Sequence, residues 1–339
     1  MKKNNLLAIL ALAASPAFLQ AQTTSYSDIV GYQTISVPAG LSTAGFPLLN
    51  ADLVKTSVTS LSGNSIQLGG QSNVGSLLSA TEPYYIEVYS GALKGDRFDV
   101  DTAATISAAN GSVVINPSSL NNTYAAASIA NQLDGATIAL RKHITLEQVQ
   151  QMASAPLVGS NTASAADQIQ FYDNATQGYA SFFLRADGVT WRKVGTTTTA
   201  NKTPIPAGSG VFISKQGSQV TLTSSGTVRA NDFANPLKAG LQLQAPAFPL
   251  DVTPASLGGT VANGWTGNNT AASADQIQVY NPTTSGYDAY FLRSDGTTWR
   301  KVGTTTAVTS NTVATSGQAF FVSRQTADNN SVLVNPIAQ

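Results

Sequence analysis

Two stretches of this chain are nearly the same. Residues 161–198 read NTASAADQIQFYDNATQGYASFFLRADGVTWRKVGTTT, and residues 269–306 read NTAASADQIQVYNPTTSGYDAYFLRSDGTTWRKVGTTT. Aligned without a gap at an offset of 108, they agree at 26 of 38 positions. A repeat of this kind binds the fold, since whatever one copy builds the other must build too. The correspondence extends outward. Thr145 answers Thr253 at the same offset, and after one inserted residue Val211–Lys215 answers Phe320–Arg324. Fainter echoes lie upstream: Ala39-Gly40-Leu41 with Phe46-Pro47-Leu48 resembles Ala239-Gly240-Leu241 with Phe248-Pro249-Leu250, and Gly111–Pro117 resembles Asn330–Pro336. These leave open a divergent third copy or a merely analogous β region.

Each clear copy reads as antiparallel strands. Asp275–Tyr280 alternates polar and apolar residues, the period of a half-buried strand. Asn281-Pro282 and Gly286 mark a loop, Ala289–Arg293 a second strand, and Asp295-Gly296 a hairpin of type I′. Thr298–Val302, Ala319–Arg324 and Ser331–Val334 complete about five strands per copy, rich in the β-branched and aromatic residues that suit a pleated surface. One short helix is expected in each copy. Thr145 and Gln148 form a capping box ahead of one, and Pro254 with Gly258 brackets its counterpart. In the N-terminal third, Tyr32–Val37, Ile66–Leu68, Tyr84–Val88 and Val113–Ile115 also alternate. The expected fold is all-β: tandem antiparallel sandwich- or barrel-like modules. Residues 1–21 are a targeting segment, 22–120 an N-terminal β module, 121–230 one repeat module and 231–339 the other.

The first residues have the order of a secretory signal peptide: Lys2-Lys3, the apolar run Leu6–Ala14, then Pro16 and a small residue at Ala21. Cleavage after Ala21 would leave 16 basic against 18 acidic residues. Nothing in the remainder reaches the roughly 18 apolar residues of a spanning helix. Export is therefore expected, to the periplasm, the cell surface or the medium, without an anchor in the chain's own sequence. Charged residues make up only 11% of the chain, against about 25% in an average soluble domain. That balance offers no cationic field for nucleic acid. The chain has no cysteine and a single histidine, His143, which excludes thiol nucleophiles, zinc ribbons and multi-histidine metal sites.

Few residues invite chemistry. Asp96, Asp99 and Asp101 in GDRFDVD offer calcium three carboxylates, although the spacing is not an EF-hand loop, and an exposed strand face with Asp99 and Asp101 on one side is the preferred explanation. The recurring Asp167 and Asp275 start a strand, and the recurring Asp187 and Asp295 serve a turn. Trp191 and Trp299, beside Tyr179 and Tyr287, either fill a core or make a stacking platform for a sugar ring. His143 has no fixed nucleophile beside it in sequence. No phosphate loop or dinucleotide fingerprint occurs.

The residues resemble a group of exported bacterial proteins without an assigned activity. The likeness rests on Val30-Gly31-Tyr32 to Pro38-Ala39-Gly40, on Ser90-Gly91-Ala92-Leu93-Lys94-Gly95 followed by Phe98-Asp99, and on the two DQIQ-x-Y and TWRKVG blocks. It implies export and an all-β fold, and carries no catalytic residue over. The expected role is a non-enzymatic structural or adhesive protein, needing no cofactor and partnered by its own copies or by surface and matrix glycans. The alternatives are a carbohydrate-binding protein using the Trp and Tyr positions and, more remotely, a glycoside-active enzyme.

Overall fold

A period of two sends successive side chains to opposite faces of a strand, and burial alternates accordingly along Val30–Val37, Ser112–Asn116 and Val220–Thr227, while Tyr84–Val88 is buried throughout. The computed structural model describes residues 29–108, 111–120, 129 and 132–337. The expected signal peptide lies outside the described residues. The fold is all-β.

The chain opens with β1 (Val30–Val37) and β2 (Gly40–Ala44), then enters β3 (Asp52–Ser62), β4 (Ser65–Leu68), β5 (Tyr84–Val88), β6 (Arg97–Val100), β7 (Ser112–Asn116) and β8 (Thr137–Lys142). The last six close an antiparallel barrel in the order β3-β4-β7-β6-β5-β8. Closure depends on β3, which pairs with β8 through its first half and with β4 through its second. A register shift between Val58 and Ser60 marks the bend, as a bulge does. Val58, Ile66, Ile86, Phe98, Val113 and Leu140 are among the side chains that fill the interior, so the barrel is a packed core and not a pore.

The next strands are β9 (Ile144–Thr145), β10 (Gln168–Asp173), β11 (Gly178–Leu184), β12 (Trp191–Lys193), β13 (Pro204–Ile205), β14 (Val211–Lys215) and β15 (Val220–Thr227). After them come β16 (Phe233–Ala234), β17 (Gly240–Gln244), β18 (Gln276–Asn281), β19 (Gly286–Leu292), β20 (Trp299–Lys301), β21 (Phe320–Arg324) and β22 (Val332–Leu333). They build two five-stranded sheets of one design, β12-β11-β10-β14-β2 and β17-β21-β18-β19-β20. Gly40 pairs with Lys215 in the first and Gly240 with Arg324 in the second, the same register. We call these sheets, with their flanking strands, module 1 and module 2.

The pairing of β2 explains the faint N-terminal echo. Gly40 and Gly240 are 200 residues apart, whereas Thr145 and Thr253 are 108 apart. The difference of 92 residues is the barrel, set between the first strand of module 1 and the rest of it. The sheets therefore do not divide at residue 120. β2 completes module 1, and β8, beyond that boundary, completes the barrel. The insertion's ends meet: Asn50 Nδ2 donates to the carbonyls of Lys142 (3.2 Å) and His143 (3.1 Å). The strand expected at Ser331–Val334 forms as β22, but it pairs with β16 outside the sheet, and β17 is the fifth sheet strand.

Helix is confined to short pieces. Leu146–Gln151 has the expected capping box between Thr145 and Gln148. Its counterpart at Pro254–Gly258 closes a single hydrogen-bonded turn and no helix, ending in Gly258-Gly259. The Asp-Gly hairpins also differ from type I′. Gly188 and Gly296 have positive φ (72° and 79°), but the aspartates before them do not. Instead, Asp187 Oδ1 accepts the N–H groups of Val189 and Thr190, and Asp295 Oδ1 those of Thr297 and Thr298. An Asx turn bends the chain there, and one left-handed residue suffices.

The two modules meet through aromatic rings related by the repeat. Tyr172 of module 1 stands edge-on to Phe321 of module 2 at 5.0 Å, and Tyr280 of module 2 edge-on to Phe212 of module 1 at 5.8 Å. Phe212 and Phe321, themselves equivalent, face each other at 5.9 Å. The backbone repeats the reciprocity: Ala245 N–H donates to Gly208 O, and Gly45 N–H to Gly317 O, both at 2.9 Å. The modules thus form a pseudo-symmetric pair within one chain, the arrangement of an isologous dimer. Phe321→Ala is expected to cost about 3–5 kcal/mol in urea unfolding, the range for truncating a buried aromatic ring.

Candidate functional site

The four aromatic positions divide by depth. Trp191 and Trp299 are 0% exposed, whereas Tyr179 and Tyr287 are 49% and 46% exposed. The indoles lie in the two module cores. Trp191 Nε1 donates to Gln150 Oε1 at 2.8 Å, and Trp299 Nε1 to Gly259 O at 2.6 Å, with Trp265 edge-on to Trp299 at 5.4 Å. A ring enclosed on both faces has none to offer a sugar, so the stacking platform expected of Trp191 and Trp299 is not formed. An indole buries a large apolar area once its N–H finds an acceptor inside, as both do here.

Tyr179 and Tyr287 rim the aromatic seam. Each packs on the tyrosine across its own hairpin, Tyr172 at 5.4 Å and Tyr280 at 5.5 Å. The Tyr287 phenol has Tyr179, Tyr280 and Tyr172 as its neighbours, so the two modules bring their tyrosines together at the edge. Burial, aided by the neighbouring Tyr179, pushes the Tyr287 phenol up to about 12.

The three aspartates of GDRFDVD have separate places. Asp96 is buried, Asp99 accepts from His143 Nε2 at 2.8 Å, and Asp101 caps the helix Thr102–Ser107 by accepting Ala104 N–H at 2.9 Å. They do not converge, and among the described residues no group of three or more His, Asp or Glu side chains is placed to hold a metal ion. The calcium site that the three carboxylates could have formed is therefore not assembled. His143, against the Tyr85 ring at 4.6 Å, joins barrel to module 1 at the point where the chain leaves the barrel.

The recurring Asp167 and Asp275 are buried ion-pair anions. Asp167 Oδ2 lies 3.0 Å from Lys215 Nζ, and its two oxygens accept Val158 N–H (2.8 Å) and Gln216 N–H (2.5 Å). Asp275 Oδ2 lies 3.0 Å from Arg324 Nε and accepts Thr266 N–H (2.7 Å), while Oδ1 accepts Gln325 N–H (2.6 Å). Each carboxylate ties the start of one strand to the end of another and to the incoming loop.

Two features escape the sequence. The first is a charged cluster between barrel and modules. Glu87, fully buried in β5, ion-pairs with Arg141 of the barrel (3.6 Å) and with Arg229 after β15. Arg97 and Arg229 stack on Phe233 at 3.8 and 4.7 Å, and Arg97 donates to Ala234 O at 2.9 Å. Burial draws both guanidiniums down to about 10. Gly95 is required here, since a Cβ would come within 2.8 Å of Ala234 N at φ +92°. Nothing marks the cluster locally, because Glu87 and Arg229 are 142 residues apart. The second feature is a cavity of about 790 Å³ in module 2, beside β22 and lined by Phe248, Val252, Leu257 and Trp265.

No family model, no curated protein and no solved structure matches this chain. No helix among the described residues is long and apolar enough to cross a membrane.

Two measurements check these assignments. Asp275→Asn leaves Arg324 buried without its anion and is expected to cost about 3–5 kcal/mol. Tyr287 keeps its proton in the folded protein up to about 12, while an unfolded tyrosine loses it near pH 10. Stability from this group is complete below pH 10 and declines as pH rises from there towards 12. Urea midpoints should fall through that window in the wild type and fall less in Tyr287→Phe.

Proposed function

We propose that this chain is an exported, non-enzymatic structural or adhesive protein of the cell surface or extracellular space. One observation carries the reading: the carboxylates and indoles that recur in both modules are engaged in building those modules. Asp167 and Asp275 hold ion pairs, Asp187 and Asp295 hold turns, and Trp191 and Trp299 fill cores. The repeat preserves a scaffold, two modules clamped by aromatic rings with a barrel attached at one side. A surface poor in charge and rich in Thr, Ser and Asn hydrogen-bonds to neighbours without long-range repulsion. The resemblance to exported bacterial proteins supports the same compartment.

Light scattering and small-angle X-ray scattering on residues 22–339, with binding to whole cells and matrix polysaccharide, test the reading. Self-assembly or attachment to either surface is expected. A monomer that attaches to neither overturns it, and hydrolysis of a glycan would return the enzyme reading.

A further inference from the structure

One difference between the two modules leaves a strand edge open. In module 1, β15 has neighbours on both sides. β1 pairs along one edge, and Met152–Ser154 lies along the other, with Ser154 N–H donating to Thr221 O and Thr223 N–H to Met152 O, both at 2.8 Å. In module 2, β22 is the counterpart of β15 and β16 that of β1. Phe233 pairs with Leu333 as Gln33 pairs with Ser224. The second neighbour is missing. Val332 N–H, the counterpart of Thr223 N–H, faces away from β16 and meets no strand among the described residues.

The cause lies in a short segment of equal length in both modules, Thr145 to Leu157 and Thr253 to Trp265. In module 1 the Gln150 side chain accepts from Trp191 Nε1 and donates to Gly188 O (2.5 Å), which leaves the following backbone free to lie on β15. Module 2 has Gly258 in place of Gln150, and its backbone does the same work. Gly259 O accepts from Trp299 Nε1, and Val261 N–H donates to Gly296 O at 2.9 Å. The residues that would have edged β22 are drawn onto Trp299 instead. Where Val149, Leu157 and Leu222 of module 1 close round a void of about 10 Å³, module 2 has the cavity of about 790 Å³.

We propose that this groove binds an extended peptide, which adds a strand to the open edge of β22 and sends apolar side chains onto Phe248, Leu257 and Trp265. Module 1 supplies the template for the occupant, a short uncharged strand with small and apolar residues. Charge supplies the rest. Asp251 and Asp328 stand in the groove wall, and among the described residues no Lys, Arg or His lines it. Arg324, buried beneath, is engaged by Asp275 and by Gly264 O at 2.6 Å. The partner is therefore a peptide segment carrying Lys or Arg beside its apolar residues. Strand addition draws affinity from main-chain hydrogen bonds and specificity from the pockets for alternate side chains. This goes beyond the proposed surface role and is independent of it, so a failed surface-binding test leaves it standing.

The test uses the full chain and two fluorescein-labelled peptides, the sequence of residues 151–157 followed by two lysines or by two glutamates. Fluorescence anisotropy should give a dissociation constant at least tenfold lower for the lysine peptide. Val332→Pro removes the edge donor, and Ala255→Trp fills the groove from an exposed position. Each should weaken binding tenfold or more, with the thermal midpoint of the fold checked alongside. Lysine-peptide binding that survives both variants overturns the proposal, as does equal binding of the two peptides or none at millimolar concentration. A dimer of the free chain that Ala255→Trp dissolves would make a second copy the occupant and overturn it as well.

Discussion

A carboxylate cannot be taken out of water unless its lone pairs find donors, and each module is organised round one that has been. Moving an ion into a protein interior costs several kcal/mol even after relaxation. Asp167 and Asp275 meet that cost with a cation and two backbone N–H groups apiece. The geometry that satisfies them is unique. The loop before the strand must arrive with Val158 or Thr266 turned inward, and the far end of β14 or β21 must present both its base and the following N–H. A slip of one residue would leave the charge buried and unpaired. The anion therefore fixes register, which a flat β surface otherwise specifies only through its face pattern.

Once the two sheets share a register, their faces are copies and can pack as copies. The seam needs only a few residues per module, Tyr172, Tyr179 and Phe212 against Tyr280, Tyr287 and Phe321, because the tyrosine–phenylalanine contact is made twice, about a central Phe212–Phe321 pair. The barrel breaks this symmetry. It sits on one side of the pair, held by buried Glu87 between two bases, by Phe233 between two guanidiniums, and by the ion pairs Glu82–Lys202, Lys94–Asp232 and Asp99–His143. Removal of any buried charge there would strand its partners in a medium that does not solvate them.

Much of this is legible in the sequence where information is local. The alternation at Tyr32–Val37, Tyr84–Val88 and Asp275–Tyr280 gives strands, and Thr145 with Gln148 gives a capped helix. The Asp-Gly turns are legible as turns, though their conformation is set by an Asx hydrogen bond that spacing does not reveal. What is hidden is non-local. The echo at Gly40 marks the same strand as Gly240, but only the pairing of β2 with β14 shows that it belongs to module 1 and not to a third copy. Trp191 and Trp299 recur at a strand edge where either burial or exposure fits the pattern, and the choice was made by the loops that fold over them. The three aspartates of GDRFDVD are close in sequence and part in space because one ends in a helix cap and another turns to His143.

The insertion of the barrel between β2 and the remainder of module 1 sets an order of assembly. Module 2 is continuous, with no domain set between its strands. Module 1 cannot place β2 beside β14 until 92 additional residues have been gathered, and ordering them as a free coil would add loop-closure entropy. A folded barrel removes that burden, because its two ends emerge side by side at Asn50 and Lys142. As the chain lengthens from its N-terminus, β1 and β2 must wait without partners while the barrel completes itself. They are then delivered together, as a preformed pair of ends, to strands made much later.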